Sequence, residues 1–227
     1  MAAYESHYTE NTYTQTGSIT IDNPATVDDG DILLYFIQQQ PAASQGTISS
    51  DGGLTEVLNE VGASFEGSIA LYSVEADGTE DGGSEDFSST DTSTVMDGAC
   101  IRISGAGVVS DSSHVFNGAS STCDVPTVDA DGADSLLISI LGGGSVGSEW
   151  TPTQPTGMTL GDTSFQAWAT SIALAYEVHA DGATGTQQWS SVPTDYGTWG
   201  VNIVLTDAGG GGSIAPQARY YYNMQLS

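Results

Sequence analysis

The chain has 227 residues, 29 of them acidic, with two arginines and no lysine, for a formal net charge of −27. Phosphate backbones and anionic headgroups are held by Lys and Arg, so a chain with only Arg102 and Arg219 excludes nucleic acid and anionic membrane surfaces as partners. Such charge opposes a compact state in dilute buffer. At molar salt the screening length is about 3 Å, and the composition then fits a brine or a salt-saturated cytoplasm.

Hydrophobic residues make up 38% of the chain but fall in clustered runs, which favours a folded core over disorder. No stretch approaches the length of a membrane helix, so no membrane insertion is expected. The start, MAAYESHYTE, has neither a basic n-region nor an apolar h-region. That reads as a protein made in the cytoplasm without a secretory leader.

In chain order, residues 1–16 are rich in Tyr, Thr and Glu and read as an N-terminal arm. Five strands are predicted next, over Gly17–Asp22, Asp31–Gln38, Leu54–Glu60, Ser68–Glu75 and Thr94–Ser104. The link Gly105–Ser121 is short and polar. A second set of strands covers Cys123–Val128, Ser135–Leu141, Met158–Leu160, Ser171–His179 and Thr198–Thr206. Turn chemistry separates them, as at Asp51-Gly52-Gly53, Asp77-Gly78 and Asp181-Gly182. Leu33–Ile37 and Leu136–Ile140 are nearly continuous apolar runs, so both faces of these strands are expected to be covered.

The two sets resemble each other. Ser68-Ile69-Ala70-Leu71 recurs as Ser171-Ile172-Ala173-Leu174, and Asp31-Ile32-Leu33-Leu34 resembles Asp134-Ser135-Leu136-Leu137. Val74–Gly78 matches Val178–Gly182, Phe87-Ser88-Ser89 matches Trp189-Ser190-Ser191, and Gly98–Ser104 matches Gly200–Thr206. Two copies of so long a unit mean duplication rather than an array. The expected fold is all-β: a jelly-roll-type β-sandwich over 17–207, built from two sequence-similar halves (17–105 and 119–207), with extended N- and C-terminal arms. A single two-sheet sandwich with the halves related by a pseudo-twofold is preferred, and two separate sandwiches are the alternative.

Beyond Asp207 a glycine run, Gly209–Gly212, forms a flexible joint in the segment 208–227. Arg219, Tyr220, Tyr221, Tyr222, Met224 and Leu226 follow. These residue types are enriched in interface cores, so the segment reads as an arm contacting another subunit or a capsid. A strand returning to its own sandwich is the alternative.

No motif for catalysis emerges. The sequence lacks HExxH, GxSxG and CxxC, and the order Ser110-Asp111-Ser112-Ser113-His114 has no triad spacing. No catalytic residue, cofactor or metal ligand is assigned. The turns Asp28-Asp29-Gly30-Asp31 and Asp129–Asp134 are dense in carboxylates, as Ca²⁺ or Mg²⁺ sites are, but read first as acidic turns before strands. His179 aligns with Glu75 and reads as a surface residue. Cys100 is expected to face outward with Arg102 and Cys123 inward with Val125; opposed facings argue against a disulfide. Trp150, Pro152 and Pro155 form a loop that could contact a host surface or stack on a sugar.

The pattern SITIDNPATVDDGDILLYFI, with Gly30, Asp31, Leu33 and Leu34, followed by WTPTQPTGM and SIALAYEV, with Trp150, Pro152, Pro155, Ala173, Ala175 and Tyr176, resembles a β-sandwich domain of structural proteins in tailed viruses. Combined with the acidity, the resemblance implies a virion component of a tailed virus of halophilic archaea, non-enzymatic and homo-oligomeric, partnered by other virion proteins. An oligomeric turret or decoration protein on the capsid surface is expected first. A tail fibre or receptor-binding module touching the host cell surface is the first alternative, and a carbohydrate-binding or carbohydrate-active sandwich the second.

Overall fold

The computed structural model describes residues 2–12, 17–40, 45–63, 66–92, 95–132, 134–144, 151–165, 170–192 and 197–207. All regular structure among them is β. The strands are β1 (Ala3–Thr12), β2 (Ser18–Asp22), β3 (Ile32–Gln39), β4 (Ile48–Ser50), β5 (Thr55–Val61), β6 (Ser68–Glu75), β7 (Ser84–Ser89) and β8 (Met96–Ser104). They continue as β9 (Ala106–Asn117), β10 (Thr122–Val125), β11 (Asp129–Ala130), β12 (Ser135–Gly144), β13 (Thr159–Phe165), β14 (Thr170–His179), β15 (Gly182–Ala183), β16 (Gln187–Ser190) and β17 (Thr198–Asp207).

Two five-stranded antiparallel sheets dominate, ordered β1-β8-β3-β6-β5 and β13-β14-β12-β17-β9. Alternation along each strand sends every second side chain to one face. On β3, Ile32, Leu34 and Phe36 join Leu136, Ile138 and Ile140 of β12 and Val201, Ile203 and Leu205 of β17 in one apolar layer between the large sheets. The opposite set, Leu33, Tyr35 and Ile37, packs under Ile19, Ile21, Ile48 and Phe87 of the small sheet β2-β7-β4. On the far side, Leu137, Leu141, Ala173 and Val204 pack under Cys123, Val125, Ala130 and Trp189 of β10, β11 and β16.

The result is four layers rather than the expected single two-sheet sandwich. Both large sheets are internal, which is why the runs at 33–37 and 136–140 carry no polar alternation. Cys100 is corrected for the same reason. Its face of β8 is covered by the small sheet, so the thiol is buried instead of exposed.

Two segments read as irregular are strands. Ala3–Thr12 pairs along β8, from Ala3 opposite Ser104 to Thr12 opposite Met96, so the expected N-terminal arm is a sheet edge. The expected polar link is β9, paired with β17. Both are polar strands, held by their pairing with β8 and β17. Gly105 alone separates β8 from β9, with φ +65°. Glycine tolerates this left-handed conformation without a Cβ penalty. His114, further along β9, meets Glu60 of β5, Nε2 to Oε1 at 3.3 Å. Strand β5 lies three places from β8 in the first sheet, so β9 crosses that sheet steeply.

Register is regular in all four interior pairs, β3 with β6 and β8, and β12 with β14 and β17. It shifts in all four edge pairs of the large sheets: between Tyr4 and Ser6 in β1, Glu56 and Leu58 in β5, Leu160 and Asp162 in β13, and twice where β9 meets β17.

Candidate functional site

The acidic turn before β3 is closed by a side chain of the same chain. Arg102, near the end of β8, points across β3 to the loop before it. Its Nε donates to Asp31 Oδ2 at 2.5 Å, one terminal nitrogen to Asp28 Oδ2 at 2.6 Å, and the other to Thr26 Oγ1 at 3.2 Å. Asp31 also accepts from its neighbour Asp28 N–H at 3.0 Å. The Arg102 and Asp31 side chains are 12% and 5% exposed, whereas Asp28 is 84% exposed. The hydrogen bond to Asp31 and the nearby carboxylates hold the guanidinium even more firmly protonated than usual. These carboxylates therefore act as a clamp for an arginine, pinning the turn to the sheet.

In the second acidic turn the carboxylates bind backbone. Asp129 N–H donates to Asp111 Oδ2 at 2.9 Å and Gly132 N–H to Asp181 Oδ1 at 3.0 Å. Among the described residues, no group of three or more His, Cys, Asp and Glu side chains is placed to hold a metal ion. Asp111 spends its other oxygen on Ser112 N–H, while His114 faces Glu60 and lies 6.1 Å from the Trp199 ring centroid. The Ser-Asp-His types of β9 are thus not assembled as a relay. His179 meets Glu177 at 3.4 Å on the surface of β14.

In the proline loop, Pro152 and Pro155 are buried, and Thr153 bridges to Ser190, its N–H donating to Ser190 O at 2.8 Å. Thr151, Thr153, Thr156 and Gly157 are the exposed members. Trp150 lies outside the described residues, as do Trp168, Arg219, Tyr220, Tyr221, Tyr222, Met224 and Leu226.

The described aromatics serve the layers. Trp189 is fully buried and donates Nε1–H to Ser139 Oγ at 3.0 Å. Tyr35 donates to Asn23 Oδ1 at 2.7 Å and Tyr72 to Ile48 O at 2.8 Å, each tying a large sheet to the small one above it. Burial raises both phenols, Tyr72 to about 12. Burial likewise raises both thiols, Cys123 to about 11; both cysteines are free.

Two polar contacts across the central layer escape a sequence reading. Gln38 Nε2 donates to Ser171 O at 2.9 Å, with Asp97 Oδ2 at 3.5 Å, and Trp199 Nε1 donates to Glu66 O at 2.9 Å. The signal was present in part: Gln38 and Asp97 are polar residues at inward-facing positions, and both are buried. The chain matches no protein-family model, no curated protein and no solved structure.

Proposed function

We propose that this chain is a non-enzymatic structural protein of a tailed virus of halophilic archaea, an oligomeric capsid-surface turret or decoration component. In this reading, residues 208–227 reach a neighbouring subunit or the capsid, other virion proteins are the partners, and the assembled virion is the place of action. The observation that carries it is where the chemistry-bearing side chains go. The only described cation clamps a turn, the acidic turns bind arginine or backbone, and Trp189 and Trp199 are buried. Buried tryptophans favour a structural role over a sugar-stacking one, which needs exposed aromatic faces.

The fold reading extends the same proposal: the chain is a duplicated jelly roll. Pairing is nested in each half, first strand with last (β1 with β8, β9 with β17), second with second-to-last (β2 with β7, β10 with β16), then β3 with β6 and β12 with β14. Phe36 lies opposite Leu71 and Ala99, as Ile140 lies opposite Leu174 and Val201. The register shifts recur as well. Glu5 and Ser110 are skipped at corresponding places, and so are Val57 and Gly161. Matching bulges are expected of two copies of one unit. The correspondence pairs Ile32 with Leu136, one residue away from the match read in sequence, and a one-residue slip would send every side chain to the wrong face. Jelly rolls recur in viral capsid and lectin domains, and fold alone does not choose between them.

The test is particle incorporation. Removing residues 213–227 leaves a folded protein in molar salt and abolishes incorporation into particles. Normal incorporation of the truncated chain refutes the anchoring role, and absence of the intact chain from purified particles refutes the structural role itself.

A further inference from the structure

Among the described residues, the four edge strands of the two large sheets pose a problem that this composition cannot solve in the usual way. An edge presents unpaired N–H and C=O groups to any other strand, and proteins commonly guard it with charge, lysine above all. Here lysine is absent. At molar salt, carboxylates on neighbouring molecules are screened beyond about 3 Å. The edges are also sticky: of the four exposed large hydrophobics, Val61 lies on β5, Val108 on β9 and Leu160 on β13.

We propose that the bulges are the guard, so that the two large sheets resist edge-to-edge strand pairing by backbone geometry instead of charge. A bulge puts two residues opposite one, bends the strand and breaks the even spacing a further strand would need. All four described edge strands of the two large sheets carry one and no interior pair of those sheets does, whereas β2 and β4 at the edges of the small sheet pair in regular register. Partners are then met through faces, loops or terminal segments, never by extending a large sheet. The inference does not depend on the virion reading.

Each skipped residue has no opposite number, so its removal leaves all flanking side chains on their faces. Deleting Gly161 would bring Leu160 and Asp162 into regular succession opposite Ala175 and Leu174. Deleting Ser110 would do the same for Val109 and Asp111 opposite Leu205 and Val204, but the second irregularity, between Leu205 and Asp207, would remain and keep β9 guarded. The test is light scattering on the full chain in molar KCl over a wide concentration range. The Gly161 deletion variant, once shown folded by its β-type circular dichroism and cooperative melt, should associate beyond the wild-type state as concentration rises. Ser110→Gly, which keeps the bulge, should not. A folded Gly161 deletion variant that holds the wild-type mass throughout overturns the proposal. Independent of variant folding, a β9-sequence peptide lacking Ser110 should fail to bind the intact protein in molar KCl, and saturable binding overturns the proposal as well.

Discussion

Gly98 of β8 and Gly200 of β17 each lie under a small-sheet strand that covers it. A Cβ at Gly98 would overlap Ile21 Cδ1 and sit 3.2 Å from Ile21 Cγ1 and from Phe36 O. At Gly200 it would lie 2.5 Å from Val125 Cγ2 and 2.8 Å from Cys123 Sγ. Carbon atoms pack at about 3.5–4.0 Å, and overpacking a core costs about 1–3 kcal/mol. Ile21 Cδ1 is the end of a flexible chain and can swing away, so Gly98→Ala belongs near the low end, about 1 kcal/mol. Val125 is stiff at χ1, so Gly200→Ala belongs near the high end, about 3 kcal/mol. Ile21→Val alone costs about 0.5–1.5 kcal/mol. In the Gly98→Ala background it removes the overlapping atom, so its cost should vanish, a coupling of about 1 kcal/mol. The assay is urea unfolding in molar KCl followed by tryptophan fluorescence. With a slope near 3 kcal/mol per molar urea, 1 kcal/mol moves the midpoint by about 0.3 M. An additive cycle, or a Gly200→Ala variant milder than Gly98→Ala, would refute the close-approach argument.

Arg102→Met leaves the Asp31 carboxylate, 5% exposed, without its cation. Stranding one member of a buried pair costs about 3–5 kcal/mol, and the low end applies because Asp28 is in water; a loss below about 1 kcal/mol would show the clamp to be ornamental. Glu85 has its carboxyl pushed above the usual range, first by burial and then by Asp86 and Glu80. The folded state therefore holds that proton more tightly than the unfolded chain. The resulting penalty is absent below the ordinary glutamate range and complete above the raised pKa. Glu85→Gln should thus stabilise the protein at neutral pH and lose that advantage as pH falls through this window; an advantage independent of pH would contradict the assignment. Both thiols are buried and raised, so a thiol reagent should label neither cysteine in the folded protein and both in urea. Rapid labelling of Cys100 under native conditions would remove it from beneath the small sheet. Exchange from molar KCl into dilute buffer should lower the melting temperature, and unchanged melting would undercut the brine argument.

The all-β character, most interior strands and the coverage of both faces of β3 and β12 were legible because buried strands write themselves as apolar runs between Gly and Asp turns. What was illegible lay at the edges and in the small sheets, where β4, β7 and β16 fall outside the predicted strands. Strands β1 and β9 carry Ser, Thr, Glu and Asp and owe their conformation to hydrogen bonds with β8 and β17, contacts distant in sequence. Tertiary context overrides local propensity there. Cys100 was misplaced because alternation identifies two faces but cannot tell that a second layer covers the outer one. The clamp of Arg102 on Asp28 and Asp31 was hidden by the same distance, although the rarity of cations marked Arg102 from the start. The segment after Asp207, the strongest interface signal in the sequence, lies outside the described residues.

Gly105 also fixes an order of events. The ribosome finishes the whole first sheet at Ser104 before any strand of the second exists. At about 5–20 residues per second, the inner face with Ile32, Leu34, Phe36 and Ile101 waits for seconds with no partner of its own chain. A one-residue connection shortens the search, because β9 must start beside β8 as soon as it emerges. The hinge thus biases newly made chains toward pairing with themselves.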